Sequence, residues 1–353
     1  MKIVLFCENR YAIDILRPLA DEALRQGGHV LLWYINTCKI KDFPSDDTTP
    51  WTASMQEVYD FNPDAIYAPG NIVPYYLPGV KVQVFHGYAA EKKDQFRIRN
   101  YFDLYFTQGP YFTQEFKKLQ ARFKDFDVCE TGWTKQDWIY QHIHDFDEEK
   151  QKLLQKYGKK QILLYAPTFS PRLTSLPFMK DELERLLMEH KEILLVMKFH
   201  PLTKSEWCDE YRQWATEHNE NAIYIEASQN ITCYQMISDM MLSDTSSAVY
   251  EFLLLNRPVI TLRSIAKDIY WENITEPKQL VAAYEHAFYD TGSIQRRQWI
   301  IKNYDPHFDG HCCERMLDAT ADYIGRHGIP TKRELNIWRK YTSIKTFGKI
   351  KKI

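Results

Sequence analysis

The sequence predicts an α/β protein of two Rossmann-like domains whose parallel sheets face a central cleft. Short apolar runs alternate with amphipathic stretches through the first half, and the alternation restarts after Gly158-Lys159-Lys160. The chain of 353 residues, 44% hydrophobic and 26% charged, has the material for two cores. Such alternation calls for parallel strands covered by helices, with ligands outside the strands' carboxyl ends.

The elements follow in order. Ile3 to Phe6 reads as a buried strand, and Ala12 to Arg25 as a helix with Ile13, Leu16, Leu19, Ala20 and Leu24 at helical spacing. Gly27-Gly28 closes that helix, and Val30 to Ile35 is the next strand. Further strands are expected at Ala65–Ala68, Val80–Phe85, Leu104–Thr107 and Val128–Thr131. A charged helix, Asp145 to Tyr157, leads to a hinge at Gly158-Lys159-Lys160. Beyond it come strands Ile162–Ala166, Ile193–Phe199, Ala222–Ile225, Met240–Ser243 and Pro258–Leu262. Helices Met179–His190, Glu206–His218 and Ser247–Leu255 are interleaved with them. The expected division is a first Rossmann-like domain over 1–150, a second over 151–325, and a basic tail over 326–353.

The balance of 45 basic against 47 acidic residues, net charge -2, excludes an overall electrostatic nucleic-acid binder. Seven scattered cysteines without a CxxC pair argue against a disulfide framework or zinc ribbon and fit a reducing compartment. The first apolar run is too short for a signal peptide, and none approaches a membrane span. A soluble protein, at most resting on a membrane surface, is expected. P-loop, GxGxxG and GxSxG patterns are absent. His142 and His144 are two apart, wrong for one helix face. His307, His311, Cys312 and Cys313 lack the partners of a zinc site, so no metal is expected.

Ser243-Asp244-Thr245-Ser246-Ser247 stands between a predicted strand and a predicted helix. A cap uses one such residue, whereas five in succession at a turn facing the cleft favour a phosphate site. Glu251, one turn on, can reach toward a nucleotide ribose; taken alone it reads as a solvated helix charge. A strand delivers His200 at its end, where Pro201 stops the pairing and Lys198 precedes. That histidine can neutralise a diphosphate, move a proton, or be purely structural. Val82 to Gly87 repeats the arrangement with His86 and Gly87, followed by Lys92-Lys93. His86 would face His200 across the cleft, an arrangement suited to base-assisted displacement at phosphorus. The tail after Thr331 carries eight Lys or Arg residues against Glu334 alone. Ile337, Tyr341, Ile344, Phe347 and Ile350 recur at helical steps beside Trp338, which suits a membrane surface or packing on the first domain.

Several segments appear together in one family's order. They are His86-Gly87 with the lysines, Thr131-Gly132 through Asp137, Tyr165-Ala166-Pro167-Thr168-Phe169, and Lys198-Phe199-His200-Pro201. Ser243 through Phe252, Asn256-Arg257-Pro258-Val259-Ile260 and Asp309-Gly310 through Arg315 follow. Over roughly residues 80 to 320 the chain resembles the CDP-glycerol glycerophosphotransferases, the teichoic-acid primase and polymerase group. The resemblance implies a GT-B architecture, a CDP-polyol donor, a glycan or lipid-linked acceptor, and no cofactor or required metal. It also implies a cytoplasmic enzyme peripheral to the inner face of the membrane. His86 would be the base and His200 the diphosphate ligand. Ser246 and Ser247 would hold phosphate in a loop shaped by Asp244, with Ser243, Thr245, Thr168, Lys198, Pro201 and Glu251 on the donor side. Gly87, Lys92, Lys93, Gly132 and Asp137 would line the acceptor side. Tyr88-Ala89-Ala90-Glu91 and Thr134-Lys135-Gln136 depart from the family pattern, both on that side. Without a large extra domain the chain looks more like a single-addition or capsule-type transferase than a long-chain polymerase. The alternatives are a GT-B glycosyltransferase or epimerase using a nucleotide sugar, and a non-catalytic membrane-surface scaffold.

Overall fold

A computed structural model describes residues 1–43, 49–88, 95–266, 269–287 and 289–351. It divides into two compact units, the first comprising 1–86, 96–141 and 303–353, the second 87–95 and 142–302.

The first unit opens with β1 (Lys2–Cys7), α1 (Tyr11–Gln26), β2 (Val30–Ile35), β3 (Trp51–Thr52), α2 (Met55–Phe61), β4 (Ala65–Ala68) and β5 (Val80–Gln83). It continues with β6 (Leu104–Thr107), α3 (Pro110–Phe123), β7 (Asp127–Glu130) and α4 (Thr134–His142). The second contains α5 (Asp147–Tyr157), β8 (Gln161–Tyr165), α6 (Leu176–Glu189), β9 (Ile193–Lys198), α7 (Ser205–Glu217), β10 (Ala222–Ile225) and α8 (Ile231–Ile237). After these come β11 (Met240–Ser243), α9 (Ala248–Leu254), β12 (Val259–Leu262), β13 (Glu272–Ile274), α10 (Leu280–Ala287) and α11 (Thr291–Tyr304). The chain returns to the first unit in the last turn of α11 and adds α12 (Cys312–His327) and α13 (Ile337–Phe347).

Both sheets are wholly parallel, in the orders β3-β2-β1-β4-β5-β6-β7 and β10-β9-β8-β11-β12-β13. Central strands covered on both faces need unbroken apolar runs, and Ile3 through Cys7 is buried at every position. Strand order reverses between β1 and β4 in one sheet and between β8 and β11 in the other. Each unit therefore carries its own switch point, where an open parallel sheet binds ligands.

The boundaries differ from the expected 150 and 325. Helix α5 belongs to the second unit, where Lys150 pairs with Asp239 at 2.5 Å. Gly158 is the left-handed C-cap of α5 (φ 63°), its N–H bonded to Gln155 O and Leu154 O, and lies within the second unit rather than between the units. The tail packs on the first unit: Ile350 joins its core, Tyr76 Oη donates to Gly348 O, and Phe347 meets Phe6 edge-on. Arg333, almost buried, donates to Asn100 O, Asp125 O and the Asp103 carboxylate. The other face of α13 stays exposed, with Ile337 at 78%, Trp338 at 77% and Tyr341 at 60%. Among the described residues no helix is long and apolar enough to cross a membrane.

Candidate active site

In the second unit the residues expected on the donor side lie around the switch point between β8 and β11. Ser243, at the end of β11, turns its hydroxyl inward to donate to Ala166 O at 2.7 Å. Asp244 is fully buried; its carboxylate accepts from Thr168 N and Ser175 N, both at 2.8 Å, and from Ser175 Oγ. Burial pushes this acid up to about 6 against the pull of those three donors. Two of the five consecutive polar residues are thus spent pinning the loop after β8 to the end of β11. Thr245, Ser246 and Ser247 are half-buried; Thr245 Oγ1 accepts from Ile265 N and Ser246 Oγ from Ala248 N. Helix α9 has only seven residues, so the hydroxyls rather than a long helix dipole would hold an anion here. Glu251 is half-buried in its first turn.

His200 stands exposed just past β9. Its Nδ1 accepts from Leu202 N at 3.0 Å, so the neutral ring carries its proton on Nε2. Pro201 opens the turn that aims Leu202 N back at the ring. Phe169, from the loop after β8, lies against the imidazole with ring centroids 4.4 Å apart. Lys198 is buried, donates to Phe199 O and Ala227 O, and has its pKa pushed down by burial. Lys198, expected on the donor side, thus braces the backbone beneath His200.

In the first unit β5 stops at Gln83, short of the expected Phe85. Phe85 adopts φ 55°, costly for a bulky side chain, while its ring stays buried against Phe116 at 5.0 Å. That turn delivers His86 to the exterior at the carboxyl edge of the sheet. His86 Nδ1 lies 2.9 Å from Pro69 O, an acceptor only, so the neutral ring carries its proton on Nδ1 and its lone pair on Nε2. The two histidines therefore hold opposite tautomers. Gly87 is grouped with the second unit, where a Cβ on it would meet Ser247 Cβ at 3.7 Å. Lys92 and Lys93 lie outside the described residues.

Gly132 and Asp137, expected on the acceptor side, make close contacts within the first unit. A Cβ on Gly132 would stand 2.5 Å from Cys312 Sγ and 2.7 Å from His307 Cβ. Asp137 is buried, and its two oxygens accept from Cys312 N at 2.9 Å and Cys313 N at 2.7 Å, capping α12. Arg315 reaches back to Thr131 O while clamping Asp309 with two nitrogens. The motif segments 131–137 and 307–315 form one knot tying α12 to the loop after β7. Asp137, Asp309 and Cys312 are the one group of possible metal ligands among the described residues. Both carboxylates are engaged and burial pushes the Cys312 thiol up, so the set does not fit a metal ion. Sequence reasoning missed Phe85, Pro69 and Leu202, whose contributions are backbone conformation or backbone polar groups that no side-chain pattern reveals.

The comparisons separate fold from chemistry. The wall teichoic acid polymerase TagF superposes with a TM-score of 0.68 at 14% identity, covering 92% of this chain and 89% of that one. A UDP-N-acetylglucosamine 2-epimerase superposes with 0.64 at 14% identity, covering 95% and 99%. Two parallel-sheet Rossmann-like units of the GT-B class are common to all three. In sequence, the teichoic acid ribitol-phosphate primase of Bacillus spizizenii is 23% identical over 298 residues, 74% of each chain. The ribitol-phosphate polymerase TarL of Staphylococcus aureus is 24% identical over 161 residues, 44% of this chain and 27% of that one. A glycerol-phosphate primase of Bacillus spizizenii is 32% identical over 121 residues, 32% of this chain and 29% of that one. The matches to these last two span under a third of the relatives' length. The family model for CDP-glycerol:poly(glycerophosphate) glycerophosphotransferase matches residues 79–272, which include β5, His86, His200 and the serine-rich turn after β11, and the chain belongs to that family.

Proposed function

We propose that the chain is a transferase. It moves glycerol phosphate, or a related polyol phosphate, from a CDP-activated donor to a hydroxyl of a cell-envelope glycan or lipid-linked acceptor, releasing CMP. The observation that carries this reading is the opposite hydrogen-bonding of Nδ1 in its two strand-end histidines, beside Pro69 O in His86 and accepting from Leu202 N in His200. Nε2 of His86 presents a lone pair, as a general base needs; Nε2 of His200 presents a proton, as a ligand for phosphate oxygens needs.

The acceptor O–H gives its proton to His86 Nε2 as its oxygen bonds to the β-phosphorus. The bond from that phosphorus to the bridging oxygen breaks, and CMP leaves with the electron pair. His200 N–H and the hydroxyls of Thr245, Ser246 and Ser247 stabilise the charge on the diphosphate oxygens. Thr168 borders that site, and Glu251 faces the ribose. No cofactor enters the scheme. The exposed Ile337, Trp338 and Tyr341, on a segment rich in Lys and Arg, support work at the inner face of a membrane, from the cytoplasm.

His86→Ala should lower CMP release by about 10²–10⁴-fold while CDP-glycerol still binds. An active His86→Ala enzyme would overturn the reading. UDP-N-acetylglucosamine 2-epimerases share the fold, which favours a nucleotide-sugar reading as the rival. In a thermal-shift screen, saturating CDP-glycerol at about a hundredfold excess over its Kd should stabilise by about 2.7 kcal/mol. Stabilisation by UDP-N-acetylglucosamine alone would select the rival.

A further inference from the structure

β1 is buried from Ile3 through Cys7, and Glu8 is the first residue past its carboxyl end, at the first sheet's switch point between β1 and β4. The Glu8 side chain is only 16% exposed. Its Oε1 accepts from Lys39 Nζ at 2.8 Å, and that lysine is 48% exposed, so the pair contributes little. Its Oε2 accepts no hydrogen bond from any described residue and stays open to solvent. Gly70, in the loop after β4, faces this oxygen: a Cβ there would stand 3.3 Å from Oε2. Gly70 is not among the glycines with positive φ, so what its missing side chain provides is room for the carboxylate. The preceding residue, Pro69, holds His86, with its carbonyl 2.9 Å from Nδ1. Carboxylate and imidazole thus flank the same two-residue turn, and Tyr11, three residues after Glu8, meets the His86 ring with centroids 5.3 Å apart.

An unspent carboxylate oxygen takes an O–H or N–H donor, and such a bond is roughly twice as strong as one between neutral groups. Glu8 belongs to no group of possible metal ligands among the described residues, and like charge would repel a phosphate from it. Polyol ends and glycans alike carry a hydroxyl on the carbon beside the one that reacts. We propose that Glu8 reads this neighbouring hydroxyl, so that the acceptor end recognised is a vicinal diol. His86 takes the proton of one hydroxyl, and Glu8 Oε2 accepts a hydrogen bond from the other. The inference rests on the transferase reading with His86 as base and adds the chemical class of the acceptor end. Glu8 itself lies outside the segment the family model matches.

The test uses the full chain, CDP-glycerol as donor, and two soluble acceptors, one ending in glycerol phosphate and one in its 2-deoxy analogue, 3-hydroxypropyl phosphate. Both keep the attacking primary hydroxyl, and only the first has the neighbouring one. The parent should prefer the diol by about 10- to 100-fold in kcat/KM. Glu8→Ala should bring the two acceptors within about threefold of each other, with KM for CDP-glycerol unchanged. Gly70→Ala keeps Glu8 but displaces its carboxylate, and should narrow the preference as well. Lys39→Ala removes the ion pair but keeps the carboxylate, and should retain the preference. A parent that turns over both acceptors equally, a Glu8→Ala enzyme that keeps the preference, or a Lys39→Ala enzyme that loses it would overturn the Glu8 assignment alone. Absence of CMP release from the parent with either acceptor, or full activity of His86→Ala, would instead overturn the reading on which it rests, and the assignment with it.

Discussion

Replacing Asp137 with alanine separates a structural knot from an acceptor contact. Its two oxygens accept from Cys312 N and Cys313 N at 2.9 and 2.7 Å, and all three residues are buried. Alanine would leave two buried N–H groups without an acceptor, at about 1–3 kcal/mol each, so the loss should be about 4 kcal/mol. For a unit of this size that lowers Tm by about 10 °C. Asp137→Asn retains one carbonyl oxygen and should lose about half as much. The assay is thermal unfolding followed by circular dichroism, paired with acceptor KM well below the transition. The order parent, Asn, Ala in Tm, with KM nearly constant in the folded variants, is expected. An alanine variant that melts like the parent but has lost acceptor affinity would refute the structural reading.

Three other expectations concern separate features. Asp244 has its folded pKa raised to about 6, so its contribution to stability is full below the unfolded value of about 3.9 and is lost as pH rises through 6. Relative to Asp244→Asn, the parent should gain about 2.4 kcal/mol in denaturant unfolding between pH 8 and pH 4; a flat difference would mean that the acid ionises as it does in water. Arg333→Ala leaves Asp103 buried without its guanidinium and should cost about 3–5 kcal/mol, read from urea unfolding; a loss below about 1 kcal/mol would make the pair a surface one. On the tail, Trp338→Ala with Tyr341→Ala should weaken binding to anionic vesicles without moving Tm. Ile350→Ala should cost about 2 kcal/mol and leave vesicle binding intact. Vesicle binding that survives the double change would remove the membrane role from that face.

The outcomes on the two faces of α13 show how far a one-dimensional pattern reaches. Its helical repeat was plain in the sequence, but which of its apolar residues meet a core and which stay exposed depends on where the first unit offers a surface. Central strands were legible because burial on both faces demands unbroken apolar runs, as in β1, β8 and β9. The edge strands β3 and β13 were not, since two or three residues paired on one side need no such run.

The site divides along the same line. Histidines at strand ends and the serine-rich turn are local signals, and the sequence alone placed them at the carboxyl edges where ligands bind. The tautomers of His86 and His200 depend on one carbonyl and one N–H. The first, Pro69 O, comes from a neighbouring strand's loop, so only tertiary structure decides it. Asp137 could not be told from an acceptor ligand in sequence because its partners lie 175 and 176 residues away. Composition and periodicity record what a residue can bury or bond. Which partner satisfies it is fixed only when distant segments meet.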